Sequence, residues 1–146
     1  DVAAQAGAAL TIPMRDHKQI IDQVLEATSG RGCEVVIEAV GEQWPLDLAG
    51  ELTAERGRLV IAGYHQDARS VNMQLWNWRG LDVINAHERA PEAYVRGMRE
   101  AVTAVTTGAL DPAPLYTHSF PLSELAIALA GLKERPDGML KTWVTP

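Results

Sequence analysis

The run Glu34–Val40, EVVIEAV, limits the fold more than any other part of the chain. Most of its residues are apolar and four are β-branched, so it has no polar face to turn to water. A strand of that kind belongs in a parallel sheet whose two faces are both covered by helices. Two further segments share the character: Arg58–Gly63, RLVIAG, and Leu81–Ala86, LDVINA. Helical periodicity separates them. Asp16 is placed to cap a helix, with Gln19 three residues on in capping-box spacing. Ile20, Ile21, Val24, Leu25 and Thr28 fall on one side of that helix, and Gly30 and Gly32 end it. Pro45 suits the first turn of a second helix, with Leu46, Ala49 and Leu52 inward and a stop at Gly57. Strand alternating with helix, over connections long enough for right-handed crossovers, predicts an α/β, doubly wound parallel sheet.

The flanking segments add detail. Asp1–Ala9 reads as the tail of an alanine-rich helix closed at Gly7, and Leu10–Met14 as a further short strand. Val71–Trp78 interrupts the rhythm, and its Trp76 and Trp78 suggest burial against another element or a second subunit. A longer helix is expected over Pro91–Thr107, with an apolar stripe of Tyr94, Met98, Ala101, Val102 and Val105. Asp111–Pro114 forms a rigid turn, and Leu115–Phe120 is extended. Ser123 is placed to cap a helix carrying Leu125, Ala128, Leu129 and Leu132. Pro136-Asp137-Gly138 then leads into a last strand, Met139–Val144.

A net charge of −6 disfavours nucleic acid and anionic membrane as partners, because both need a basic footprint. No apolar run approaches the roughly 20 residues of a membrane span. Cys33 is the only cysteine, so neither a disulfide framework nor a four-cysteine zinc site arises within the chain. A small buried hydrophobe is the expected role for Cys33. A lone cysteine also fits a reducing cytoplasm, the expected location.

The blocks GRGCEVVIEAVG, ERGRLVIAGYH, WRGLDVINAHER, LYTHSFPLSELAIAL and RPDGMLKTWV follow one another in order. Together they resemble the C-terminal half of medium-chain dehydrogenases/reductases, most nearly the zinc-dependent alcohol and polyol dehydrogenases. The likeness spans residues 1–146. It implies the C-terminal part of an NAD(P)-binding Rossmann domain with the family's C-terminal tail, the N-terminal catalytic domain and first βαβ unit lying outside these residues. It implies hydride transfer between the nicotinamide of NAD or NADP and an alcohol or carbonyl carbon of an alcohol, polyol or sugar-like substrate. The catalytic zinc of relatives is held mostly by a preceding barrel-like domain. Zinc is therefore expected in the complete protein, with no metal ligand in this chain and no activity from these residues alone. Relatives also pair subunits along the sheet edge, so a homo-oligomer (dimer or tetramer) through the edge near 70–86 is expected.

No G-x-G-x-x-G occurs in the sequence, so the preference between NAD and NADP is not fixed by it. The Rossmann strand order is 3-2-1-4-5-6. With Leu10–Met14 as strand three and Glu34, Arg58 and Leu81 opening strands four to six, strands one and two are missing. Strand four is then left with an apolar edge.

Ligands of such sheets lie beyond the C-terminal strand ends. By resemblance, Ala39, Val40 and Gly41 after strand four form the adenosine-side wall, although Gly41 also suits a plain strand-to-helix turn. Ala62, Gly63 and Tyr64 after strand five run beside the nicotinamide, where small residues let a flat ring stack. Asn85, Ala86 and His87 after strand six hold its carboxamide through backbone groups. Lys141, in the last strand, matches a basic position near the cofactor phosphates, or is a solvated lysine. His87 and His65 are weak catalytic candidates: with Glu88 they follow adjacent strands at one sheet edge and could relay a proton, or simply be surface residues at loop starts. Glu38, inside an apolar strand, needs hydrogen-bond partners. Two other functions stay open, a non-catalytic binding or dimerisation module and a zinc-free reductase of the same family. The intact mass and a metal analysis separate them.

Overall fold

Three parallel strands organise the segment Leu10–Arg89, one of two compact units; the other comprises Ala90–Pro146 with the first residues of the chain. The computed structural model describes residues 2–146. In the first unit, helix α2 (His17–Ala27) leads to strand β1 (Cys33–Glu38), α3 (Gln43–Leu52), β2 (Thr53–Ile61), α4 (Met73–Arg79) and β3 (Asp82–Asn85). The sheet order is β1-β2-β3. Its register brings Glu38, Ile61 and Asn85 level at the C-terminal ends of the strands.

Local chemistry explains most boundaries. The Asp16 side chain accepts the N–H of Gln19 at 2.8 Å and starts α2. It ends at Ala27, with Thr28 as the C-cap and Ser29 and Gly30 both at positive φ. Leu46, Leu48 and Ala49 of α3 are buried together with Leu59 of β2, which has no exposed surface, and with Ile20 of α2. His17 joins α2 to α3, accepting from Trp44 Nε1 at 2.8 Å and lying 3.3 Å from Glu51.

Several expectations are corrected. Leu10–Met14 is not a strand; Pro13 removes a ladder donor, and the segment runs as coil into a turn. Among the described residues, β1 pairs with β2 only. The second helix stops at Leu52 rather than Gly57, and β2 begins at Thr53. Residues 54–57 then loop out, with Arg56 at φ 57°, and the register against β1 jumps there. β1 is not covered on both faces: Val36 and Glu38 face α3, while Val35 and Ile37 are 56% and 64% exposed. Val71–Trp78, apolar and polar by turns, folds as a helical turn, because Asn72 caps the N–H of Leu75 at 3.0 Å and Gly80 closes α4 in the left-handed region. The indole of Trp76 rests on Gly50, whereas Trp78 is 87% exposed. Cys33 is half-buried.

The second unit holds α1 (Val2–Gln5), α5 (Pro91–Thr106), β4 (Tyr116–Pro121), α6 (Leu125–Glu134) and β5 (Lys141–Thr145). β4 and β5 pair in parallel and α6 packs on both, with Ala128 and Met139 buried. The α5 helix forms as expected, but Tyr94, Met98, Val102 and Val105 on its stripe are exposed. Ser123 does not cap α6. It lies in a short 3-10 turn, and Glu124 occupies the cap position without a side-chain bond.

Candidate functional site

The C-terminal ends of β1, β2 and β3 lie side by side, and these ends with the loops leaving them carry nine of the ten residues singled out for cofactor binding. Ala39, Val40, Ala62, Tyr64, Asn85, Ala86 and His87 are exposed there; Gly41 is buried and Gly63 half-buried. Tyr64, 71% exposed, stands beside His87, with ring centroids 6.4 Å apart and the planes tilted by 43°. Lys141 lies in the other unit. It opens β5, level with Tyr116.

Backbone bonding fixes the rim. The Glu38 carbonyl accepts the N–H groups of Ala62 at 2.8 Å and Gly63 at 2.9 Å, and the Ile61 carbonyl accepts that of Ala86 at 2.8 Å. These N–H groups therefore extend the sheet, and what Ala86 offers a ligand from its backbone is its carbonyl. The glycines serve the protein's own packing. A Cβ on Gly41, whose φ is +87°, would lie 2.5 Å from the carbonyl oxygen of Tyr64. One on Gly63 would lie 2.5 Å from the Glu38 carboxylate.

Glu38, only 3% exposed, binds both loops. Its Oε1 accepts the N–H of Val40 at 2.7 Å and of Gly41 at 2.8 Å, and its Oε2 lies 2.9 Å from His65 Nε2. Burial raises its pKa, but the Gly41 and Val40 N–H groups and the His65 ring outweigh that, leaving the carboxyl below its ordinary value. Behind His65 stands Arg69, whose Nε is 3.4 Å from His65 Nδ1 and whose Nη2 donates to the Gly41 carbonyl at 2.9 Å. The same guanidinium pairs with Glu42 at 3.1 Å. His65 is thus turned toward Glu38, and the Glu88 carboxylate accepts the N–H of Arg89. Nothing in the sequence pattern marks Arg69, which lies 28 residues beyond the Gly41 that it holds.

Among the described residues no group of three or more His, Cys, Asp or Glu could hold a metal ion. The residues described here do not fit a zinc ion. A cavity of about 730 Å³ opens at the other end of the strands, lined among others by Thr28, Arg31, Cys33, Glu51 and Trp78. It lies away from the C-terminal ends where parallel α/β sheets bind ligands, so the exposed rim is the better candidate despite being a surface rather than a cavity.

A parallel sheet with helical crossovers and small exposed residues at its C-terminal rim is the architecture of nucleotide-binding α/β domains. Residues 1–104 match the family model for zinc-binding dehydrogenases, and the chain belongs to that family. It is 23% identical over its whole length to an alcohol dehydrogenase of Cupriavidus necator, spanning 39% of that protein. It is 26% identical over 97% of its length to an NADP-dependent isopropanol dehydrogenase of Entamoeba histolytica, again 39% of that protein. Its fold superposes with a TM-score of 0.87 on zinc dependent alcohol dehydrogenase 2 from Streptococcus pneumonia, at 23% identity, covering 98% of this chain and 40% of that one. The chain therefore spans about two-fifths of the length of these relatives. No helix among the described residues is long and apolar enough to cross a membrane.

Proposed function

We propose that this chain supplies one wall of an NAD(P) site in an oxidoreductase that moves hydride between nicotinamide and an alcohol or carbonyl substrate. The observation that carries the reading is the row of exposed residues from Ala39 to His87 along three level strand ends, in a chain of this family. The residues fit such a group: small side chains at Ala39, Ala62 and Ala86 leave a flat surface, and Tyr64 with His87 edges it with aromatic rings. Nicotinamide, when bound, supplies the hydride donor or acceptor. The chain's own residues bind and orient. Ala39, Val40 and Gly41 form the adenosine-side wall, Ala62, Gly63 and Tyr64 lie under the nicotinamide, and Asn85, Ala86 and His87 hold its carboxamide. Lys141 serves the phosphates only if the second unit brings it to the rim.

Zinc, in this reading, belongs to parts of the protein beyond these residues, and a small alcohol, polyol or sugar-like compound is the substrate. The exposed Trp78 and the outer edge of β3 support assembly into a dimer or tetramer, and the protein is cytoplasmic. Fluorescence titration of the intact protein with NADH and with NADPH tests the cofactor assignment. Saturable binding of either is expected, and binding of neither at millimolar concentration would refute it.

A further inference from the structure

Glu38, His65 and Arg69 form a chain of side chains that joins the loop after β1 to the loop after β2. We propose that His65 and Arg69 are positioning residues for dinucleotide binding, a strap that holds the two loops at the spacing the cofactor needs; the inference rests on the cofactor reading above.

The argument begins with donors and acceptors. Arginine Nε can only donate, so the contact from Arg69 Nε makes His65 Nδ1 the acceptor. The ring proton then sits on Nε2, which donates to Glu38 Oε2. Glu38 in turn spends its other oxygen on the N–H groups of Val40 and Gly41. Arg69 closes the circuit by donating to the Gly41 carbonyl, so the loop after β1 is held through its carboxylate, its N–H groups and its C=O at once. Every partner lies at the end of β1 or on one of the two loops, and Arg69 is itself neutralised by Glu42 with Asp67 3.8 Å away. A guanidinium so occupied is suited to holding the rim and poorly placed to bind a phosphate. Buried groups linked in this way have one arrangement that satisfies all of them.

The test uses the intact protein with three substitutions, reading the Kd for NADH and NADPH well below the unfolding temperature and the denaturation midpoint separately. His65→Ala removes the donor to Glu38 and is expected to weaken dinucleotide binding about tenfold, as loss of a hydrogen bond to a buried charge does. His65→Gln keeps a donor at the Nε2 position and is expected to restore the wild-type Kd to within about threefold. Arg69→Leu releases Gly41 and is expected to weaken binding without touching the carboxylate; it decides alone if His65→Ala does not fold. Unchanged Kd in His65→Ala and Arg69→Leu, with a wild type that binds, would overturn the strap and leave the cofactor reading standing. A lower midpoint with an unchanged Kd would likewise reduce these residues to structural supports. A wild type that binds neither dinucleotide would overturn both.

Discussion

Gly41→Ala probes the close approach of the two rim loops. The new Cβ would stand 2.5, 2.8 and 3.0 Å from the O, C and N atoms of Tyr64, all of them backbone, so no side-chain rotation relieves the overlap. The φ of +87° adds a penalty of about 1 kcal/mol for any L residue. Overpacking against fixed backbone costs a further 1–3 kcal/mol, roughly, giving a total loss of about 2–4 kcal/mol. Gly80→Ala is the control: its φ is +60° and its Cβ would meet nothing within 4 Å, so only the conformational penalty of about 1 kcal/mol applies. Urea denaturation of the two variants beside the wild type measures both, with the slope checked for two-state behaviour. A Gly41→Ala variant no less stable than Gly80→Ala would refute the packing of the loop after β1 against that after β2.

Further outcomes follow from the core, the buried carboxylate and the exposed edge. Leu59→Ala, at a side chain with no exposed surface, is expected to cost about 2–5 kcal/mol in the same assay. Glu38 is held below its ordinary pKa, so the unfolded chain binds the proton first; the stability it contributes is present above the ordinary glutamate range and is lost as pH falls through the lowered value. Denaturation midpoints from pH 7 down to pH 3 should therefore fall less steeply for Glu38→Gln than for the wild type, and parallel curves would contradict the ionised state. Trp78→Ser should leave the stability within about 0.5 kcal/mol, as at an ordinary surface site. If the edge near 70–86 joins subunits, light scattering will show a lower mass for that variant.

The sequence is most legible where one residue type has one physical use. Three apolar β-branched runs became three parallel strands, and Asp16 with Gln19 became a helix cap, because short-range chemistry decides both. Leu10–Met14 misled because a five-residue apolar run has no decisive period, and Pro13 argued against a strand. The pattern of Val71–Trp78 assigns it no element, and the Asn72 cap and Gly80 stop make it a short helix. At the rim, the strand ends located the candidate residues. The Glu38 side chain announced a need for partners; the N–H groups of Val40 and Gly41 answer it locally, but His65 answers it from 27 residues away, a distance over which pattern carries no information. The positions of Gly41 and Gly63 suggested approach to a ligand, and what approaches them is the neighbouring loop.

Amide hydrogen exchange of the intact protein, with and without saturating NADH or NADPH, tests the central claim most directly. Ligand should slow exchange in peptides covering residues 39–41, 62–64 and 85–87, and leave those covering 30–34 and 51–55 unchanged. Slowing confined to the opposite end of the strands, or none at either end, would contradict the assignment of the rim as the cofactor wall.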